Sequence, residues 1–291
     1  MTESTLHLAL PKGRMQEGVL SLLKEAGIRV ANTSRSYRPS VSLEDCDTKI
    51  LKPQNIIEML HLGSRDVGFA GADWVDELGL SDGSIVELLD TALDPVRIVA
   101  AAPKEIVDAD GQLPSRKLVI ASEYVRLTNQ WIERTGRDAI CVRSYGATEV
   151  FPPEDADIIV DNTATGTTLR NNGLVIVDEL MRSSTRLFAH RAALENPAKR
   201  SRIDTMVLLL KSVLDARNRV MLEVNVGRDA LDAVVAALPC MRKPTIATLF
   251  GEEGYAVKAA VPRQTLPTLI PLLKERGGSD IVVTKIAQIV V

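Results

Sequence analysis

The chain has 291 residues, 45% hydrophobic and 25% charged, enough to bury a sizeable core and to form two or three domains. A formal net charge of −3 argues against a protein that coats nucleic acid, but leaves room for anionic small molecules, which respond to local potential. Cys46, Cys141 and Cys240 lie far apart, without CxxC spacing or a neighbouring histidine, and so point to neither a disulfide framework nor a zinc site. With no signal peptide evident and no run of roughly 20 apolar residues, the expectation is a soluble cytoplasmic protein without membrane or nucleic-acid partners.

The first two thirds alternate short apolar runs with helical spacing. Leu6–Leu10 reads as a strand, and Pro11-Lys12-Gly13 leads into a helix carrying Met15, Val19, Leu22, Leu23 and Ala26 on one face, stopped by Gly27. Pro53 opens a second helix with Ile56, Ile57 and Leu60. Further strands are expected at Val67–Ala70, Ile85–Leu89, Val96–Ala101, Leu118–Ala121, Ile140–Val142, Ile158–Val160, Val175–Val177 and Arg186–Ala189. This alternation predicts an α/β protein with largely parallel sheet, and so many strands suggest two lobes rather than one sheet, divided near Arg97–Lys104.

After Pro197 a helical run over Ala198–Leu214 leads to a different rhythm. A strand at Val220–Val226, a helix at Ala230–Leu238, a strand at Thr245–Phe250, a turn at 251–254, a strand at Tyr255–Val261, a helix at Gln264–Arg276 and a strand at Ile281–Val291 give βαββαβ. That is the ferredoxin-like order. Pro267 and Pro271 weaken the second helix, because the latter would kink an ordinary helix interior.

The segment richest in chemistry runs from Ala156 to Arg170. A buried strand ends at Asp161 and opens into Asn162, Thr163, Ala164, Thr165, Gly166, Thr167 and Thr168. Backbone N–H groups and hydroxyls of such a loop can surround a phosphate, Gly166 permits close approach, and Asp161 can accept from ribose hydroxyls. A plain Thr/Gly turn with a capping Asp is the alternative. The loop lacks the lysine of a P-loop, and no GxGxxG occurs.

Asp161 to Leu174, preceded by Gly146-Ala147-Thr148-Glu149 and Ala156-Asp157, resembles the PRPP-binding segment of ATP phosphoribosyltransferases. Leu8 to Met15, with Pro11-Lys12-Gly13-Arg14, and Asp66 to Asp73 match two other segments of that family, and the C-terminal βαββαβ unit resembles the regulatory domain of its long form. The resemblance implies a two-lobed, periplasmic-binding-protein-like core plus an ACT-like domain: lobe I from residues 1–97 and 191–215, lobe II from 98–190, and the regulatory domain from 216–291. It further implies transfer of phosphoribosyl from PRPP to N1 of ATP, with release of pyrophosphate and feedback inhibition by histidine. The partners implied are ATP, PRPP, histidine and further copies of the chain, as dimer or hexamer, with no separate regulatory subunit. Mg²⁺ is the implied cofactor, borne mainly by substrate and touching Asp161.

Residue by residue, the resemblance implies Asp161 for ribose and Thr163 to Thr168 for phosphate. Asn162 stands where other phosphoribosyltransferases have a second acid. Glu149 reaches the ribose, orders the loop or caps a short helix. Lys12, Arg14 and Arg97 are candidates to stabilise the leaving pyrophosphate, although Arg97 in an apolar strand fits a structural ion pair equally. Lys52, Gly71 and Asp73 are candidates on the nucleotide side, with Asp73 contacting nucleotide or magnesium or capping the next helix. Thr245, Asn225 and Asp280 fall where relatives bind histidine. Competing readings are a non-catalytic two-lobed binder and a phosphoribosyltransferase for another base.

Overall fold

The computed structural model describes residues 4–31, 37–80, 82–251 and 253–290. The chain forms two compact units: Ile28–Thr205 with the segment up to Lys24, and Glu25–Gly27 with the segment from Met206 on.

The first part of the chain holds β1 (Leu6–Pro11), α1 (Arg14–Glu25), β2 (Val30–Ala31), β3 (Ser40–Val41), β4 (Cys46–Leu51), α2 (Pro53–His61), β5 (Val67–Gly71), α3 (Ala72–Leu78) and β6 (Ile85–Pro103). It continues with β7 (Leu118–Ser122), α4 (Val125–Thr135), β8 (Ala139–Arg143), β9 (Ile158–Thr163), α5 (Thr167–Asn171), β10 (Leu174–His190), α6 (Arg191–Glu195) and α7 (Pro197–Arg217). The predicted helix faces are the buried ones: Met15, Val19, Leu22 and Leu23 in α1, and Ile56, Ile57 and Leu60 in α2. Pro53 sits in the first turn of α2, where its missing N–H costs nothing.

Eight strands join in the order β4-β1-β5-β10-β6-β9-β7-β8. The flanks are parallel, as expected, with β1 between β4 and β5 at one end and β7 between β9 and β8 at the other. The middle is antiparallel: β10 pairs with β5 and β6, and β6 with β9. The two lobes therefore share one ladder, and the expected boundary at Arg97–Lys104 falls inside β6. Ile85–Leu89 and Val96–Ala101, read as separate strands, are one, as are Val175–Val177 and Arg186–Ala189. Polar residues mask the continuity. Ala92 and Asp94 take positive φ, the β6–β10 register shifts repeatedly, and Asp90, Asp94 and Thr185 side chains tie the irregular stretch together.

The second part of the chain holds β11 (Arg219–Gly227), α8 (Leu231–Ala237), β12 (Thr245–Thr248), β13 (Gly254–Pro262), α9 (Leu266–Glu275) and β14 (Gly278–Lys285). Its βαββαβ order is the predicted one, with an antiparallel sheet β12-β13-β11-β14. Val220, Leu222, Val224 and Val226 alternate inward against Val257, Val261, Leu269 and Leu273, each buried side chain contributing about 1.5–3 kcal/mol. The helix α9 runs on through Pro271, and buried Leu269 and Leu273 anchor it on either side. The strand β14 starts at Gly278 rather than Ile281, because Asp280 (φ 45°) lies where the ladder shifts register. It ends at Lys285, beyond which Ile289 N–H bonds the Ser212 carbonyl instead (2.9 Å). Glu252 of the predicted turn and Val291 of the predicted last strand lie outside the described residues. Among the described residues no helix is long and apolar enough to cross a membrane.

Candidate active site

The strand β9 carries buried Ile158, Ile159 and Val160 between β6 and β7, then delivers Asp161, Asn162 and Thr163 to its end. The chain turns at Gly166, whose φ of 75° is open to glycine at no steric cost, and enters the short helix α5. Threonines hold the turn in shape. The Gly166 N–H donates to Thr163 Oγ1 (3.0 Å), and the Thr165 and Thr167 hydroxyls lie 2.9 Å apart. A cation to which the sequence assigned no role, Arg170, completes the loop: its Nη1 donates to the Thr165 carbonyl and Nη2 to Thr167 Oγ1, both at 3.1 Å. Its signal was the helical spacing of three residues between Thr167 and Arg170. Ala164, Thr165, Thr167 and Thr168 are exposed.

Asp161 is half-buried, and Oδ1 accepts from the Asn162 main-chain N–H (2.7 Å) and side-chain amide (3.1 Å). Burial pushes its carboxyl up to about 6, against the backbone bond from Asn162, and the nearby Glu149 and Glu123 carboxylates add to the rise. Glu149 stands in a 3₁₀ turn, Thr148–Val150, that begins after Ala147 at φ 48°; the described residue capping that turn is Ala147.

The remaining predicted residues separate into surface cations and a buried acid. Lys12 follows β1 and is exposed; its Nζ donates to Tyr37 Oη (2.9 Å) and lies 5.0 Å from the ring centre, holding the phenol below its ordinary range. Arg14 is the exposed first residue of α1. Lys52 precedes α2 and lines two concavities. One, about 360 Å³, gathers Lys12, Arg38, Lys49 and Lys52 beside Tyr37. The other, about 220 Å³, places Lys52 and Arg143 among Glu58, Trp74, Glu77 and Glu123. Lys49 escaped the sequence reading because β4 is a mostly polar strand at the sheet edge.

Arg97 on β6 is registered with Thr163 on β9, at the mouth of the loop. It pairs with Glu179 at 3.4 Å, but Glu179 is held more closely by Arg182 (2.7 Å), so the guanidinium of Arg97 is loosely tied. Gly71 is buried at the N-cap of α3, where an added Cβ would lie 2.1 Å from Asp73 Oδ1. Asp73 does not cap that helix and does not face solvent. It is 2% exposed, with Oδ1 accepting from Ser183 Oγ (2.5 Å) and Oδ2 from Tyr124 Oη (2.8 Å). At 2% exposure, Asp73 could meet nucleotide only if the side chains that cover it moved aside.

Among the described residues no group of three or more His, Cys, Asp or Glu side chains is arranged to hold a metal ion.

In the C-terminal sheet, Asn225 Nδ2 donates to Asp280 Oδ2 (3.3 Å), bringing these two predicted residues together. Thr245 is exposed on β12, opposite Lys258, with β13 between it and β11. Two strand spacings, roughly 10 Å, separate β12 from the strand of Asn225, and three, roughly 14 Å, from that of Asp280.

The family model described as ATP phosphoribosyltransferase (HisG) matches residues 52–212, and the HisG C-terminal domain model matches residues 216–288. The ATP phosphoribosyltransferase of Pelodictyon phaeoclathratiforme is 36% identical over 286 residues, covering 95% of this chain and 94% of that protein. That of Desulforudis audaxviator is 37% identical over 287 residues, covering 95% and 96%. Among solved structures, the ATP phosphoribosyl transferase (HisG:HisZ) complex from Thermotoga maritima is similar with a TM-score of 0.63 and 27% identity, over 72% of this chain and 99% of that one. A βαβ core ending in a threonine loop, a further βαββαβ domain and near-full-length similarity thus agree: the chain belongs to the long form of the ATP phosphoribosyltransferase family of histidine biosynthesis and is a pentosyltransferase enzyme.

Proposed function

We propose that the chain transfers phosphoribosyl from PRPP to N1 of ATP, giving 1-(5-phosphoribosyl)-ATP and pyrophosphate. The observation that carries this reading is the loop 161–168, where a half-buried carboxylate, a ring of hydroxyls and the Arg170 guanidinium stand together beside Arg97. The 5′-phosphate takes the backbone and hydroxyls of Thr163 to Thr168, with Ala164 and Gly166 admitting it closely. Asp161 accepts from the ribose hydroxyls through the oxygen that Asn162 does not occupy, and Glu149 adds negative potential on that side.

In the reaction the adenine N1 lone pair forms the bond to C1 while the C1–O bond breaks and its electrons leave with pyrophosphate. N1 is already nucleophilic, so no strong base is needed. The carboxylates around Asp161 suit the positive charge that develops at C1. Lys12, Arg14 and Arg97 stabilise the negative charge on the leaving group, and Mg²⁺ borne on PRPP, with Asp161 as the residue that would touch it, would supply further charge stabilisation there. Losing one such donor commonly costs ~3 kcal/mol of barrier, about a hundredfold in rate. The cavity lined by Lys12, Arg38, Lys49 and Lys52 offers cations for a polyphosphate chain, and the neighbouring cleft beside Trp74 offers a wall for the base. Gly71 and Asp73 shape that wall from behind.

The C-terminal domain is assigned to feedback inhibition, with histidine contacting Asn225 and Asp280 and Thr245 at a separate edge of the sheet. Inhibition then works by favouring a less active assembly of copies, dimer or hexamer, in the cytoplasm, without a separate regulatory subunit. The decisive assay incubates the chain with Mg²⁺, PRPP and ATP and follows pyrophosphate and phosphoribosyl-ATP. Turnover with another base but not with ATP would replace the acceptor, and no turnover with any base would reduce the protein to a binder.

A further inference from the structure

Tyr124 has no place in the chemistry above, yet it is the junction of a buried polar network. The residue lies just after β7 and is 1% exposed. Its main chain is pinned by Ser122 Oγ, which accepts its N–H (2.9 Å), and by Thr128 Oγ1, which donates to its carbonyl (2.6 Å). Trp74 of α3 stacks on its ring with centroids 4.8 Å apart. The hydroxyl, fixed in this way, donates to Asp73 Oδ2 (2.8 Å) and accepts from Asn162 Nδ2 (3.3 Å).

Each end of this chain of bonds is anchored in a different part of the sheet. Asp73 stands in the first turn of α3, directly after β5. Its other oxygen accepts from Ser183 Oγ on β10, which accepts in turn from the Asp73 N–H (3.1 Å). Asn162 belongs to the loop and makes two bonds to Asp161 Oδ1. One phenol therefore lies between a carboxylate of the β5 side and the amide that orients the acid of the β9 side. Burial and the facing Asp73 hold the phenol well above its ordinary range, so it remains a donor throughout the working pH range.

We propose that Tyr124 is a positioning residue: by holding Asn162 from the buried Asp73 it fixes the direction of the Asp161 carboxylate and links the β5 side of the sheet to the loop. The consequence for PRPP rests on the function proposed above, but the coupling itself does not. Its test therefore begins on the ligand-free protein. Tyr124→Phe should make backbone amides of 161–168 exchange about tenfold faster while those of β11 and β13 stay unchanged. Magnesium PRPP should then bind about tenfold more weakly, as it should to Asn162→Ala. Because both act through one bond, the double variant should lose about tenfold again in total, not a hundredfold.

Unchanged loop exchange, or losses that multiply, would overturn the coupling. Faster loop exchange in a protein whose parent shows no affinity for PRPP would uphold the coupling and remove the substrate assignment. Should Tyr124→Phe not fold, Asp73→Asn supplies the same cycle, since it matches Asp in shape and reaches Asn162 only through Tyr124.

Discussion

Arg170 grips Thr167 from one helical turn away, its Nη2 on the threonine hydroxyl while Nη1 takes the Thr165 carbonyl. Two bonds from one planar group shape the loop and leave positive charge at its surface. Arg170→Lys cannot span both acceptors. It should raise the KM for PRPP about tenfold and Arg170→Ala about a hundredfold, with the melting temperature nearly constant because the side chain is exposed. Steady-state kinetics with PRPP varied at saturating ATP would show it; equal rises in both KM values would argue against a role at the loop.

Gly166 should tolerate no side chain. Its φ of 75° disfavours an L-residue, and an added Cβ would stand 3.2 Å from Arg170 Nη1. Gly166→Ala is expected to cost about 1 kcal/mol in stability and to displace the arginine, so PRPP use should fall further than stability. Thermal melts alongside kinetics would separate the two effects.

Asp161 carries a linked prediction in pH. Its carboxyl rises from 3.8 to about 6 on folding, so the folded protein holds that proton more tightly than the unfolded chain. The stability this contributes is present below about 4 and is lost as pH rises through about 6. At pH 7.5 the charged, part-buried group is a burden of roughly 1–3 kcal/mol, and Asp161→Asn should melt higher than the parent while losing most PRPP turnover. In the parent, kcat/KM for PRPP should fall about tenfold per unit below pH 6 as the acceptor is protonated. A flat profile from pH 5 to 7 would remove Asp161 from ribose recognition.

Asp280 tests the C-terminal domain. It adopts φ 45° and accepts from Asn225, so Asp280→Asn keeps the shape and the tolerance for that backbone while removing the charge. The histidine inhibition curve should move about tenfold to higher concentration, as expected for loss of one charge-assisted bond. An unmoved curve would place the effector elsewhere.

The sequence made the loop legible because its features are local: a buried apolar run, an acid at the strand end, threonines and one glycine. It made the βαββαβ domain legible because alternation in Val220 to Val226 survives without interruption. Harder to see were features that depend on distant partners. Asp73 read as a contact to nucleotide or magnesium or as a helix cap, since nothing within ten residues announces Ser183 or Tyr124. Lys49 joined Lys12 only through pairing of β1 with β4, and Arg38 only through the bond from Ile50 N–H to the Tyr37 carbonyl. The long strands β6 and β10 looked like four short ones, because bulges place polar residues where a period of two demands apolar ones.

Those two bulged strands set how the halves can move. A swinging loop would let one half rotate freely, whereas a pair of hydrogen-bonded ribbons behaves as a leaf spring: it flexes a little, stores the strain and returns. The same construction makes the crossing intolerant of length changes. One residue inserted between Asp178 and Ser183 would slip the ladder by a step and turn Ser183 away from Asp73.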